Sequence, residues 1–507
     1  MFALVASSAM AQLASDAILF NRTDYNGTAR LQAMGGAFGA LGADLSASAI
    51  NPAGVASYRS TEVGFTLGVN AHKMSTDTYG FGKDETKVSC DLDQMGLVYA
   101  FEVPSKDVTH AFLINYTQLA DYDYTAKYRD EYEYNSILDY MCIYPSNPFL
   151  GDLGYRANVM GDQSEQGDEV YDITHNIWEV PVGNQVDANG REYADGGPID
   201  HFKHVKERGS KGEFTFAYAA NIYQKVYLGA TIGVQSFSRS SKTLLTENFY
   251  GEILSFEKSG DIFYDEVSYG TSLHQDAAGV NFAFGMIVRP IPQLRIGAAI
   301  HSPTFFSVEE DYSADILAID NETYFSKSAY SGEYEYEYRY YTPGRLNVSV
   351  AGVFADYGII SMDYEYSNYA NSKFKEKEDD LDAESRRYID AANDEIDNLY
   401  KASHTLRMGA EVKVIDQLAL RAGFGIQSSP YEDGFTVNDY KHSTVSGGIG
   451  YRSTNFFLDF TYVNAKNQFD YWVLPDDGPG TYPYRTNEPS NSELTSHNFV
   501  LTLGFRF

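Results

Sequence analysis

Four basic residues fall on the polar side of segments in which apolar and polar residues alternate: Arg345, Arg407, Lys413 and Arg421. A cation inside an otherwise apolar cavity stabilises a carboxylate, because an unpaired anion there loses its hydration without compensation. These residues are therefore candidate partners for the acidic head group of an amphiphilic ligand. The alternative is structural pairing with a carboxylate such as Glu411 or Asp363, which is the commoner fate of such side chains.

A second pair of residues with possible chemistry is His201 and His204, in a long polar segment. Imidazole groups bind haem iron and transition metals, so a haem or metal site is one interpretation. Two unrelated surface histidines are the other, because no carboxylate partner is placed beside them by a regular spacing. We predict neither a metal site nor a cofactor. Cys90 and Cys142 form either a disulfide or two free thiols.

No enzyme signature occurs in the sequence: it lacks G-x-S-x-G, H-E-x-x-H and a Gly-rich phosphate loop before a helix. We therefore predict a non-enzymatic protein without catalytic residues. The 507 residues carry a formal net charge of −32, which repels nucleic-acid phosphates. Nucleic acid is accordingly not an expected partner. No stretch approaches the ~20 consecutive apolar residues that a membrane-spanning helix needs.

The elements that position the four cations are strands with a period of two residues. From Thr61 onward, apolar and polar residues alternate in blocks of about ten residues, the length of a transmembrane β-strand. In the clearest block, five apolar residues share one side: Leu406, Met408, Ala410, Val412 and Val414. Since the opposite side is rich in glycine and charge, lipid outside and a lumen inside explain both faces. About 14 such blocks predict an all-β fold, a 14-stranded antiparallel transmembrane β-barrel over residues 59–507.

The connections between these blocks alternate between short and long. Turns of a few residues, such as 104–107 and 224–225, are separated by long segments, of which the largest is 120–211. Outer-membrane barrels have short periplasmic turns and long extracellular loops, so the long segments are expected outside the cell. The third strand, 109–119, contains neither Gly nor Pro, so nothing in it demands a kink.

The last block ends on the terminal residue, with Phe499, Phe505 and Phe507 on the same side of the strand. This alternation is similar to the carboxy-terminal signal that outer-membrane barrels present to their assembly machinery. We therefore expect that machinery as a partner, together with outer-membrane lipid and lipopolysaccharide. An ordinary edge strand is the alternative interpretation.

The first 58 residues follow a different pattern. Residues 1–11 end in Ala-Met-Ala, which predicts a signal peptide, although the missing basic residues imply that it is truncated or that its start codon is misassigned. Residues 12–58 are rich in small side chains and cannot form an independent core, so we expect them to lie as a hatch inside the lumen. Asp44 begins a short capped helix there. Asn51 and Pro52 end it, because a residue before proline avoids the helical conformation.

With its small-residue hatch, its Asn51-Pro52-Ala53-Gly54 segment and its barrel of about 14 strands, the chain resembles the FadL-type outer-membrane transporters. This family carries long-chain fatty acids or aromatic hydrocarbons such as toluene. The resemblance implies hatch residues Asp44, Asn51, Pro52, Ala53 and Gly54. It also implies release of substrate sideways through a gap beside a kinked third strand.

The sequence therefore predicts an outer-membrane protein of a Gram-negative bacterium that passes hydrophobic small molecules by diffusion, gated by the hatch. Apolar burial on the inner wall would capture such molecules at about 25 cal/mol per Å². Two other functions stay open at this level. One is a haemin or metal-compound receptor, a label that some relatives carry, and the other is a structural or adhesive barrel.

Overall fold

The fold is taken from a computed structural model of the chain. The structure describes residues 16–24, 26–78, 80–103, 107–133, 136–138, 141, 147–157, 159, 185–186, 192–193, 199–254, 263–320, 324–354, 357–377, 383–432, 440–474 and 489–507. The predicted signal peptide and Cys142 lie outside these residues. Within them, no helix has both the length and the apolar character needed to cross a membrane.

Fourteen strands form the wall, as the alternating pattern predicted. They are β1 Glu62–Thr78, β2 Phe81–Val103, β3 Val108–Asp121, β7 Ile199–Ile222, β8 Val226–Leu254, β9 Phe263–Ile291, β10 Leu294–His301, β14 Arg345–Phe354, β15 Gly358–Asn368, β17 Ala402–Ile415, β18 Leu418–Gln427, β19 Lys441–Arg452, β20 Phe456–Tyr471 and β21 Ser490–Arg506.

Shorter strands and helices complete the fold. The strands are β4 Tyr124–Glu133, β5 Gln185–Val186, β6 Glu192–Tyr193, β11 Phe305–Asp320, β12 Phe325–Tyr330, β13 Tyr334–Tyr341 and β16 Lys373–Glu376. The α-helices are α1 16–21, α2 Ala29–Ala33, α3 Gly151–Arg156 and α4 Ala383–Leu399. Within the described ranges, three short 3-10 helices span Leu45–Ala49, Pro52–Ser57 and Tyr369–Asn371.

The wall closes on itself. Each wall strand pairs antiparallel with the next, and the first pairs with the last from Glu62↔Arg506 to Asp77↔Asn491. Because the wall is closed, the backbone N–H and C=O groups of every wall strand have hydrogen-bond partners on both sides. The hydrocarbon of a membrane requires this, since it contains no water that could bind unpaired backbone groups. Along β17, Met408 and Val412 are exposed on the outside, whereas Arg407 and Glu411 are buried on the inside. A continuous apolar outer band of this kind is typical of a lipid-facing wall.

The strands reach farther than the apolar pattern indicated. β8 and β9 have 29 residues each, whereas crossing a bilayer takes about 9–11. Strands β4 and β7 likewise continue into the segment 120–211 that was expected to be a loop. The boundary was wrong because these extensions carry polar residues on the outside, so the apolar contrast ends while the backbone pairing continues.

The third wall strand has one irregularity in its pairing. Its pairing with β2 runs from Val103↔Val108 to Gln94↔Thr117, and its register against β7 shifts between Gln118 and Ala120. The carbonyl of Leu119 instead accepts a hydrogen bond from the backbone N–H of Asp24, at 2.7 Å. Contact with the amino-terminal segment therefore accompanies the irregularity, and no Gly or Pro in the strand is needed for it.

Candidate functional site

The hatch is held in shape by two capping side chains. The Asp44 carboxylate accepts a hydrogen bond from the Ser46 backbone N–H at 3.0 Å and another from the Thr28 hydroxyl at 2.7 Å. It caps the 3-10 helix Leu45–Ala49, a tighter turn than the short helix expected there. Burial raises the pKa of the Asp44 carboxyl, although Arg30 acts in the opposite direction.

Asn51 caps the next turn and also ties it to the wall. Its side-chain oxygen accepts a hydrogen bond from the Ala53 N–H at 3.0 Å, and Pro52 begins the 3-10 helix Pro52–Ser57. Its amide nitrogen donates to the carbonyl of Gly39 at 2.6 Å and to that of Met286, a wall residue, at 3.3 Å. One buried side chain thus positions both the turn and its contact with β9.

Elsewhere the hatch touches the wall through main chain. A Cβ built on Gly229 would lie 2.4 Å from the carbonyl carbon of Pro52, and one on Gly297 would lie 2.3 Å from the Gly39 oxygen. On the other side of the lumen, a Cβ on Gly423 would lie 2.1 Å from the Gly35 nitrogen. These wall glycines are required by close approach, since any side chain would displace the hatch.

One side of the hatch is fixed by buried charges, here called the ionic cluster: Arg30 of the hatch with Glu411, Arg421 and Asp459 of the wall. Glu411 pairs with Arg30 at 2.9 Å and with Arg421 at 2.7 Å, and Arg421 pairs with Asp459 at 2.5 Å. The Thr461 hydroxyl next to it donates to the Ala29 carbonyl at 2.6 Å.

The opposite side of the hatch is apolar, and we call this contact the apolar seam. Its hatch residues are Leu45, Ala53, Val55, Ala56 and Tyr58. Its wall residues, from β2, β3, β7, β8 and β9, are Val98, Ala111, Leu113, Ala217, Ala219, Tyr227 and Ile287. The hatch therefore meets the wall through buried charges at the ionic cluster and mainly through apolar side chains at the apolar seam.

A cavity of about 300 Å³ lies in the lumen between residues 18–24 and Asn26 on one side and residues Gln32, Gly35 and Gly36 on the other. Aromatic and aliphatic side chains contribute one part of its lining: Phe20, Tyr369, Ile426, Tyr431, Tyr440, Phe469 and Leu494. Cations contribute another: Arg22, Lys211, Arg345 and Arg407. The side chains of Asp24, Asp121 and Glu365 also line the cavity, and apolar surface beside these charged groups suits a molecule with an apolar body and a polar head.

The four predicted cations separate into two groups. Arg345 and Arg407 line the cavity, and Arg407 also pairs with Glu365 at 2.7 Å. Arg421 is fully buried in the ionic cluster, so its role is the structural alternative rather than ligand binding. Lys413 is exposed near the end of β17 and does not line the cavity, so a role in ligand binding stays a prediction.

Lys211 was missed at the sequence level because it was placed at the end of a loop. It is buried in β7, and its ammonium group donates hydrogen bonds to the carbonyls of Phe20, at 3.0 Å, and Arg22. These carbonyls lie at the carboxyl end of α1, where a cation is favoured by the helix dipole. The third N–H of an ammonium group leaves Lys211 able to meet a ligand as well.

Helix α1 covers the cavity and is itself anchored. Asp16 pairs with Arg239 at 3.0 Å, and the Tyr122 hydroxyl donates to the Leu19 carbonyl at 2.8 Å. The Phe20 ring stacks on Phe237 with centroids 4.3 Å apart. The amino-terminal segment is therefore part of the cavity wall, joined to it by charge, hydrogen bonding and aromatic contact.

The two histidines do not converge. His201 is buried and lies 3.2 Å from Glu247, whereas His204 is exposed on the other face of β7. No group of three or more potential metal ligands occurs in the described ranges. This geometry does not favour the haemin or metal-receptor alternative. Cys90 is a free thiol on the outer face.

The carboxy-terminal residues lie as the alternation predicted. Phe499 and Phe505 are exposed on the outer face, and the Phe507 N–H donates to the Thr61 carbonyl at 3.0 Å. The terminal residue thus completes the junction between the last strand and the first. Recognition of this end by assembly machinery stays a prediction.

No model of a known protein family matches the chain, and no curated protein sequence matches it. Solved structures do. The CymD monoaromatic hydrocarbon channel superposes with a TM-score of 0.52 at 12% identity over 96% of this chain and 99% of its own. The toluene transporter TodX of Pseudomonas putida gives 0.52 at 13% identity, over 96% and 99%. A FadL homologue of Pseudomonas aeruginosa gives 0.52 at 12% identity, over 96% and 98%. These likenesses show a shared fold.

Proposed function

We propose that the protein lets hydrophobic small molecules cross the outer membrane of a Gram-negative bacterium by diffusion, under the control of the hatch. The observation that carries the proposal is the cavity between the amino-terminal segment and the hatch, inside a closed wall with an apolar outer band. The names of the similar structures, hydrocarbon channels and a toluene transporter, support the same class of solute.

Of the two solute classes, long-chain fatty acids or aromatic hydrocarbons, the cavity favours fatty acids. A carboxylate can accept hydrogen bonds from Arg345, Arg407 and Lys211 in addition to the contacts that these cations already make, whereas a neutral hydrocarbon cannot. The aromatic lining would bury the alkyl chain at about 0.8 kcal/mol per CH₂. The cations of the cavity would thus bind the head group, and its aromatic side chains would contact the alkyl chain.

Arg345→Met tests the head-group site. We expect the affinity of the purified barrel for a fatty acid to fall about 10- to 100-fold, the usual worth of a hydrogen bond to a charged group. Affinity for toluene should not change. Lys413→Met, which removes an exposed cation outside the cavity, is the matched control and should leave both affinities unaltered. Equal fatty-acid affinity in both variants, measured by calorimetry, would rule out a carboxylate site at Arg345.

Replacing Asn51-Pro52-Ala53 by three glycines tests the hatch. Barrel stability rests on closed interstrand hydrogen bonding, so we expect a folded barrel. The hatch loses the Asn51 hydrogen bonds and the fixed backbone angle of Pro52, and its flexible form is favoured. We therefore expect leakage of a small polar dye or a loss of fatty-acid uptake at equal amounts of folded protein.

Asn371→Gly is the control for the triple substitution, because the Asn371 side chain is exposed, lies outside the hatch and does not line the cavity. It should change neither dye entry nor uptake. If the triple-glycine variant also left both unchanged, the hatch would be a tether and its gating role would be abandoned.

A further inference from the structure

The hatch is attached unequally around its circumference. At the ionic cluster, displacement would separate buried charges, which is strongly unfavourable when one partner stays behind. At the apolar seam, the polar contacts given for residues 52–57 lie within the hatch and its junction with β1. Apart from the hydrogen bond from Asn51 to the Met286 carbonyl, opening the seam separates apolar surfaces, and an apolar solute that enters restores those contacts.

A second cavity, of about 10 Å³, lies beside the main cavity on the side of the seam. The two share Thr23, Asn281, His301 and Arg345 in their linings, and the smaller one also touches Ser48 and Ala49 of the hatch. Its lining residue Thr231 is the cross-strand neighbour of Ala217, a wall residue of the seam. The space beside Arg345 thus ends one strand away from the seam residue Ala217.

A buried polar side chain without hydrogen-bond partners, Asn221, lies beside the apolar seam near the turn between β7 and β8. Asn221 is 1% exposed, and neither its amide nitrogen nor its amide oxygen has a hydrogen-bond partner in the structure. It neighbours Tyr227 of the seam across the β7–β8 pair. A buried amide of this kind costs free energy unless a ligand satisfies it, and it offers a carboxyl group both a donor and an acceptor.

We propose that solutes leave the main cavity along the apolar seam, passing between the turn Pro52–Ser57 and strands β3, β7 and β8, with Asn221 receiving the head group. The ionic cluster stays closed and acts as the hinge side of the hatch. This inference rests on the proposed transport of hydrophobic solutes and names the path inside the barrel that such transport uses.

Single cysteines test the path in a Cys90→Ser, Cys142→Ser background. Val55→Cys places a thiol in the seam, and Ala33→Cys places one near the ionic cluster, where Ser446 donates to the Ala33 carbonyl. Both positions are 0% exposed, so static burial does not distinguish them. The probe is N-dodecylmaleimide, an apolar thiol reagent. Ala56→Cys, also in the seam, serves if Val55→Cys does not fold.

We expect the seam cysteine to react at least about tenfold faster than the cysteine in Ala33→Cys. The hatch separates from the wall more often at the apolar seam than at the ionic cluster, and the reagent reaches a thiol only when its side is open. The alkylated Val55→Cys barrel should lose fatty-acid uptake, whereas treated Ala33→Cys should retain it. Equal reaction rates, or full uptake by the alkylated seam variant, would overturn the path. If cells with the cysteine-free barrel take up no more than cells without it, the transport function itself fails.

Asn221→Leu gives a second readout. The uptake rate of fatty acid should fall several-fold while that of toluene stays constant, because only the acid has a head group to satisfy the amide. Equal changes for the two solutes would remove Asn221 from the path.

Discussion

Glu411→Ala is expected to release the hatch from the wall while the barrel remains folded. The substitution leaves Arg30 and Arg421 buried with their shared carboxylate missing. Breaking a buried ion pair by removing one partner costs about 3–5 kcal/mol, enough to favour a displaced hatch. The measurement is hydrogen exchange of residues 26–58 in the purified barrel, which should lose protection while the wall strands keep theirs.

Arg30→Met is the matched comparison for Glu411→Ala. It removes the hatch member of the cluster, but Glu411 remains paired with Arg421 at 2.7 Å, so no buried charge is left alone. We expect a smaller loss of hatch protection than in Glu411→Ala. Equal protection in Glu411→Ala and the unmodified protein would mean that packing, not charge, holds the hatch.

Phe507→Asp is expected to block assembly of the barrel while export across the inner membrane continues. The residue ends the strand that closes the wall, and its backbone already pairs with Thr61. An acidic side chain there disrupts the apolar alternation formed with Phe505 and Phe499. The readout is the heat-modifiable, protease-resistant form of the barrel in isolated membranes, which should be absent.

Two controls separate a terminal signal from a general cost of charge at the rim. Phe507→Tyr keeps an aromatic ring and should assemble. Val414→Asp places the same acid on another wall strand, at a side chain that is 53% exposed, and should assemble in larger yield than Phe507→Asp. Assembly of Phe507→Asp at the normal level would refute the signal.

The wall was predictable because lipid and lumen impose opposite chemistry on successive residues. In β17 that contrast places Met408 outside and Arg407 inside without knowledge of the fold. The contrast ends beyond the apolar band, which is why the sequence predicts a loop over 120–211 where β4 and β7 continue. The irregular third strand was also invisible, since it is accompanied by a contact with Asp24 that lies far away in sequence.

The candidate site was only partly predictable. Arg345 and Arg421 occupy equivalent alternating positions, so the pattern correctly places both inside the lumen. Their depth relative to the hatch decides that one lines the cavity and the other is sealed in the ionic cluster. The depth of a side chain in the lumen depends on the tilt of its strand and on the path of the hatch. Neither can be predicted from the sequence of a single strand.

The main-chain contacts between the hatch and the wall glycines require the two surfaces to be complementary in shape at the level of the backbone. Where Gly229 meets Pro52 and Gly423 meets Gly35, the mating surfaces have no side chains that could repack to absorb an error. A hatch borrowed from another barrel would seat only if its backbone followed the same course within a few tenths of an ångström. Chimaeras of such proteins should therefore tolerate exchanged loops and reject exchanged hatches, unless the facing strands are exchanged with them.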